Sequence, residues 1–254
     1  QSNLTEIELE KMFLNYFAIF PFKKLKPGAV GFDMGCGSGR WAAFLLKKGY
    51  KINCIDPSDA IDVARNKLKA FNNVEFFKKS ADDMPLPENS QDFGYSLGVL
   101  HHVPNTLSAL KSSVSMLKKN GIFLIYLYHS LDNRPIWYKA LWRMSELIRA
   151  IISRMPVKSR RILCDVLALL IYFPVARTSY YLSKVGCSVE NMPLSLYREL
   201  SFYTMRTDAR DRFGTPLEKR FSKMEILSLL DEAGLKDIEF SQSPPYWVAI
   251  AKKK

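Results

Sequence analysis

Within AVGFDMGCGSGRW (residues 29–41), an acid, Asp33, is followed by glycines at 35, 37 and 39, directly behind a short apolar run. A glycine-rich turn between a strand and a helix lets the backbone approach a nucleotide at the helix N-terminus. Dinucleotide spacing, G-x-G-x-x-G, would need a glycine at position 40, which is Arg40. The pattern is instead D-x-G-x-G-x-G. An acid two residues before the first glycine repels a pyrophosphate and suits an ammonium group. Asp56 ends the next apolar run, KINCID, where an acid can accept hydrogen bonds from both hydroxyls of a ribose. A ligand with a ribose, a cationic amino-acid part and no phosphate is S-adenosylmethionine. Arg40 and Asp33 both disfavour a nicotinamide dehydrogenase.

Strand-like runs alternating with helical patterns must hold these residues, the signature of βαβ units and a mostly parallel sheet. The strands are predicted at 29–35, 51–57, 74–80, 93–100, 122–128, 236–240 and 246–251. Helices are predicted at 38–49, closed by Gly49, over Ile61, Ala64, Leu68 and Phe71, and over 105–121. In the third of these, Leu107, Leu110, Val114 and Leu117 share a face, and Asn120-Gly121 ends the pattern. Ser222 and Glu225 form a capping box for a last helix. The fold class expected is α/β, a Rossmann-like sheet of seven strands flanked by helices. The domain reading is an N-terminal amphipathic helix at 4–20 within residues 1–27, packing on the core or over the active site. The core is 28–130 with 222–254, and a helical substrate cap is inserted at 131–221.

The motifs VGFDMGCGSGRW, INCIDPS, SADDMPLPENSQDFGYSLGVLHHVPN and SMLKKNGIFLIY, in that order, resemble the class I S-adenosylmethionine-dependent methyltransferases. The resemblance covers roughly 28–130 and 222–252. It implies that Asp33 orders the methionine end of the cofactor, with Gly35, Cys36, Gly37 and Gly39 shaping the loop. Asp56 and Pro57 would meet the ribose, and Leu97 and Gly98 the methionine part. Ser80 stands where relatives often have an aspartate for the adenine amino group, so adenine recognition would lean on Ala81 backbone or on Asp82. The product would be S-adenosylhomocysteine.

Methyl transfer from a sulfonium chiefly needs alignment, and a base only when the nucleophile arrives protonated. Candidate bases are His101, His102 and His129; candidate acceptor contacts are Tyr16, Tyr128, Arg206 and Arg212, with Arg offering bidentate geometry for an acid. The turn after the fourth strand, LGVLHHVPN, is not the N/D-P-P-Y/F turn of base-amine methylases, so nucleic acid is disfavoured. Nor does that region hold the paired glutamates of protein-arginine methylases. Small-molecule, sugar or lipid-linked acceptors remain, including acidic ones. A binding protein that keeps the cofactor fold without transferring a methyl is the alternative.

The net charge of +12 over 254 residues suits nucleic acid, an anionic membrane or an acidic substrate, and solubility alone would also explain it. Residues 131–185 hold ten Lys and Arg against Asp132, Glu146 and Asp165. There Trp137, Leu141, Met144, Ile148, Ile151, Ile152 and Met155 share one side of a helix, with Lys139, Arg143 and Arg154 opposite. The preferred reading is a cap helix whose apolar face covers the active site; an amphipathic helix on an anionic membrane is the other. VLALLIYFPVA (166–176) is too short to span a bilayer, and Pro174 interrupts it. Cys36, Cys54, Cys164 and Cys187 form no C-x-x-C pair and no zinc-type grouping, so no metal is expected and the thiols read as reduced and cytoplasmic. Oligomeric state is not encoded in any motif.

Overall fold

The structure is a computed structural model describing residues 6–83, 85–189 and 191–254. Leu4 and Thr5 of the expected first helix, and Met84 of the third motif, lie outside the described residues. The chain divides into two compact units, one of Leu9–Ser130 with Lys219–Lys254, the other of Leu131–Glu218 with the residues up to Glu8.

In chain order the first unit contains most of α1 (Glu6–Tyr16), then β1 (Val30–Met34), α2 (Arg40–Lys47), β2 (Lys51–Ile55), α3 (Ala60–Leu68), β3 (Val74–Phe77), β4 (Gln91–Leu97), α4 (Thr106–Ser115) and β5 (Leu117–Tyr126). α1 stops before the expected Phe20. Pro21 drives its predecessor out of helical geometry, and the Phe20 N–H instead closes a turn on the Phe17 carbonyl. Phe13, Phe17 and Phe20 still bury together. α4 ends at Ser115, and Leu117 belongs to β5 rather than to the helical face predicted for it. Leu117 pairs with Gln91 of β4 and is fully buried, so tertiary pairing overrides a spacing that suits either period.

The second unit holds α5 (Ile136–Ile152), α6 (Val157–Leu167), a π-turn at Ala168–Tyr172, α7 (Phe173–Lys184) and α8 (Phe202–Gly214). Cys164, Ala168, Tyr172 and Ala176, four apart, pack with Ile152 on Met205, Ala209 and Phe213. Small residues at 164, 168 and 176 let the backbones approach. Val157–Lys184 is one 28-residue helical stretch, long and apolar enough to cross a membrane by length and composition, where the sequence reading found only a short segment. Pro174 does not interrupt it. The proline falls in the first turn of α7, after the π-turn has already displaced the backbone hydrogen-bond register. Glu8 accepts hydrogen bonds from the Ser201 N–H at 3.0 Å and the Thr204 hydroxyl at 2.6 Å.

The chain returns to the first unit with α9 (Lys223–Glu232), β6 (Leu235–Phe240) and β7 (Val248–Lys253). Both halves of the Ser222–Glu225 capping box are made. The seven strands are ordered β3-β2-β1-β4-β5-β7-β6, parallel except that β7 runs antiparallel to both neighbours. The expected seven-stranded α/β sheet is therefore present. One apolar layer, centred on Phe13, Trp41, Leu45 and Tyr95, covers one face, and another, centred on Phe32, Leu110, Phe123 and Ile226, covers the other. Strand order reverses between β1 and β4, and ligands of such sheets bind beyond the strand C-termini at that point.

Candidate cofactor and acceptor site

β1 delivers Asp33 to this reversal point, and the turn after it is held by β2: the Gly35 and Cys36 N–H groups donate to the Ile55 carbonyl at 2.8 and 3.1 Å. Gly35 has φ +80°, and a Cβ there would lie 2.4 Å from the Val99 side chain, so only glycine fits. A Cβ on Gly39, at φ +70°, would lie 2.7 and 3.2 Å from Leu68 and Ala64 of α3, so glycine lets α2 start close to that helix. Gly37 also has positive φ, yet a Cβ on it would meet nothing within 4 Å. Its bare side is open to a ligand.

Asp33 is buried, and its Oδ2 has no hydrogen-bond partner. Burial pushes its carboxyl up to about 8; the Tyr95 hydroxyl tempers the rise, Asp56 adds to it and Arg40 opposes it. A buried carboxyl with one oxygen unpartnered is the complement of an ammonium group, whose arrival would favour the ionised form. Asp56, at the end of β2, accepts from the Gly37 N–H at 2.8 Å through Oδ2, and from the Ser58 N–H at 2.9 Å and hydroxyl at 2.6 Å through Oδ1. Asp56 thus fastens the glycine turn as well as ending β2. That role joins residues 19 apart, and the motif does not announce it. Three of about four acceptor positions on the carboxylate are taken, leaving one for a hydroxyl before any contact is exchanged. The open side of Gly37, the unpartnered Asp33 and the acid at the end of β2 fit S-adenosylmethionine.

Pro57 is exposed beside Asp56; Ala81 is buried, Ser80 half-buried and Asp82 exposed, in a turn closed by the Asp83 N–H on the Ser80 carbonyl. Leu97 ends β4, and the Gly98 N–H donates to the Tyr126 carbonyl at 3.0 Å. From the glycine turn an aromatic series runs along the strand ends. Trp41 lies 5.3 Å from Tyr16, Tyr16 5.2 Å from Tyr126, and Tyr126 5.9 Å from Tyr128. His101 stacks on Tyr128 at 3.8 Å, and the Arg220 guanidinium lies over the Tyr128 ring at 5.3 Å. The structure therefore brings together Tyr16, Tyr126, Tyr128, His101, His102 and Arg220, and adds Trp41, to which the sequence assigned no role.

Two sequence candidates do not present themselves to an acceptor. His101 is fully buried, and burial, with the charges of His102 and Arg220 behind it, pushes its imidazole down to about 2. It is a neutral packing group beneath Tyr128. Arg212 is buried in the second unit, paired with Glu146 and with Glu218 at 2.7 Å, and stacked on Trp142 at 5.3 Å. Its donors are spent on the fold. Arg206, on the same helix, lies over Tyr203 at 5.4 Å. His102 is half-buried, 4.0 Å from His101, and His129 is half-buried with its carbonyl receiving Arg220 at 3.2 Å.

The methyltransferase domain family matches residues 32–125. A demethylmenaquinone methyltransferase of Staphylococcus haemolyticus is 24% identical over 164 residues, covering 63% of this chain and 67% of that protein. A ubiquinone biosynthesis O-methyltransferase of Xanthomonas campestris is 28% identical over 102 residues, 39% of this chain and 43% of that one. The chain thus spans about two thirds of the first relative and under half of the second. Among solved structures, a 1,6-didemethyltoxoflavin-N1-methyltransferase of Burkholderia thailandensis with bound S-adenosylhomocysteine superposes with a TM-score of 0.54 at 15% identity, over 97% of this chain and 78% of that one. A SAM-dependent methyltransferase of Aquifex aeolicus gives 0.51 at 15%, over 98% of both. The matched segment, the sheet order and the named relatives support a class I S-adenosylmethionine-dependent methyltransferase.

Proposed function

We propose that this chain transfers a methyl group to a small ring-bearing acceptor, lipid-linked rather than free, in a biosynthetic pathway. Bound S-adenosylmethionine supplies an already activated methyl, so the chain's own task is alignment. The observation that carries the reading is the buried, unpartnered Oδ2 of Asp33, in the same strand-to-helix turn as the open face of Gly37. Asp33 holds the ammonium group, Asp56 one ribose hydroxyl, and Leu97 and Gly98 the methionine chain. Ala81 backbone and Asp82 receive the adenine edge. The half-buried Tyr16, Tyr126 and Tyr128 offer flat faces to a planar acceptor at the same strand ends. The naming of two relatives for menaquinone and ubiquinone pathways agrees with a ring carried on a lipid. An acceptor that arrives protonated gives its proton to His102 or His129.

The test is turnover to S-adenosylhomocysteine with a panel of lipid-linked hydroxylated rings against water-soluble counterparts. Turnover on the lipid-linked set, reduced by Tyr126→Ala with cofactor affinity kept, supports the reading. Turnover on the soluble set alone refutes the acceptor class. Loss of about 10²–10⁴ in kcat in His102→Ala or in His129→Ala identifies the base.

A further inference from the structure

α5 is amphipathic in the opposite sense to that expected of a cap helix. Its inward side carries Ser145, Glu146 and Arg149, tied into a polar cluster with Arg212, while Arg149 also donates to the Thr215 carbonyl at 3.0 Å. Its outward side carries Ile136, Trp137, Met144, Leu147, Ile148 and Ile151, of which Ile136 is 85% exposed, Leu147 70% and Ile151 68%. Rolling the helix to hide this stripe would break the Glu146–Arg212 contact, so the outward orientation is held by a buried ionic network. The next helical stretch repeats the theme. With Cys164, Ala168 and Ala176 turned to α8, it exposes Ile162, Leu169 and Leu170.

Charge settles what such a surface fits. Arg143 and Arg154 border the α5 stripe, and Lys158 and Arg161 stand beside Ile162; all four are exposed. Between residues 133 and 189 the carboxylates are Glu146 and Asp165, and both are ion-paired, Asp165 with Arg210 at 2.6 Å. A second copy of the chain would set like charges rim to rim, whereas an anionic bilayer answers both the apolar stripe and its basic border. Lying in the interface leaves in place the face that Val157–Lys184 packs on α8, with its polar contacts. Asp165 binds Arg210, and Arg177 donates to the Arg198 and Leu200 carbonyls at 2.7 and 3.1 Å.

We propose that the outward faces of α5 and Val157–Lys184 seat the protein on an anionic lipid bilayer, lying in the interface without spanning it. The surface lies outside the cofactor turn, so docking stands or falls separately from methyl transfer. The experiment is flotation of the full chain with phosphatidylcholine vesicles, with and without phosphatidylglycerol. Wild type floats with the anionic vesicles and is released by salt. Arg143→Ala and Arg154→Ala each lower the partition coefficient about fivefold. Leu147→Ser combined with Ile151→Ser abolishes flotation, whereas Met224→Ser, at an exposed apolar residue of the other unit, leaves it unchanged. Amide exchange across 136–214, measured on every variant, stays at the wild-type rate and shows that each is folded, and S-adenosylhomocysteine affinity is unchanged. Absence of flotation in the wild type, or flotation that survives the Leu147/Ile151 pair, overturns the proposal. Concentration-dependent dimerisation lost in that pair, without flotation, assigns the stripe to a second copy instead.

Discussion

Asp33 is a carboxyl that the fold holds at a cost for the sake of a ligand. With a folded value of about 8 against an unfolded value near 4, the folded chain keeps a proton that the unfolded chain has lost between those pH values. Stability therefore falls as pH rises from about 4 to 8. Asp33→Asn removes that loss, so its melting temperature exceeds that of wild type by a margin that widens over the same interval, at about 2–4 °C per kcal/mol recovered. The same variant loses S-adenosylhomocysteine affinity. In wild type, affinity rises with pH toward 8 and binding at pH 6.5 releases a proton. Calorimetry in buffers of different ionisation enthalpy reads this release directly, and a pH-independent affinity would contradict it. Asp56→Ala removes a ribose contact and the clasp on Gly37 together. It should cost about 1–3 kcal/mol in S-adenosylhomocysteine binding by titration, and raise amide exchange at Gly37 in the ligand-free protein.

The glycine turn is the element on which the site depends, and its tightest point is Gly35. A methyl group there meets Val99 at 2.4 Å in a backbone conformation that L side chains avoid. Gly35→Ala should destabilise the protein by about 1–3 kcal/mol in chemical denaturation and abolish cofactor binding. A variant that binds normally would show the turn to be adaptable. The turn was legible in the sequence because glycine spacing reports local backbone geometry. Its clasp was not, since the Gly37–Asp56 bond joins two different βα turns. Leu117 was misassigned for a related reason: spacing fits a helix, and only pairing with Gln91 makes it a strand residue.

The two units have separate apolar cores, one on the two faces of the seven-stranded sheet and one where α6 and α7 meet α8. Arg212 belongs to the second and bonds Glu146, Glu218 and the Ser145 hydroxyl. Arg212→Ala removes the charge that Glu146 and Glu218 share in this cluster, a loss of about 3–5 kcal/mol. Hydrogen exchange should show faster amides across 136–214, with β1–β5 protection and S-adenosylhomocysteine affinity retained. Equal acceleration in the sheet would show the units to be energetically one. The sequence alone carried the α/β class, the seven strands and the identity of the cofactor turn, because strand periodicity and glycine spacing are local properties. Folding in three dimensions decided which face of α5 is outward, that His101 and Arg212 are internal, and that a helix runs through Pro174. Each of those outcomes depends on a partner far along the chain, Glu146 for Arg212, Tyr128 for His101 and α8 for the long helix, and no local pattern specifies a partner.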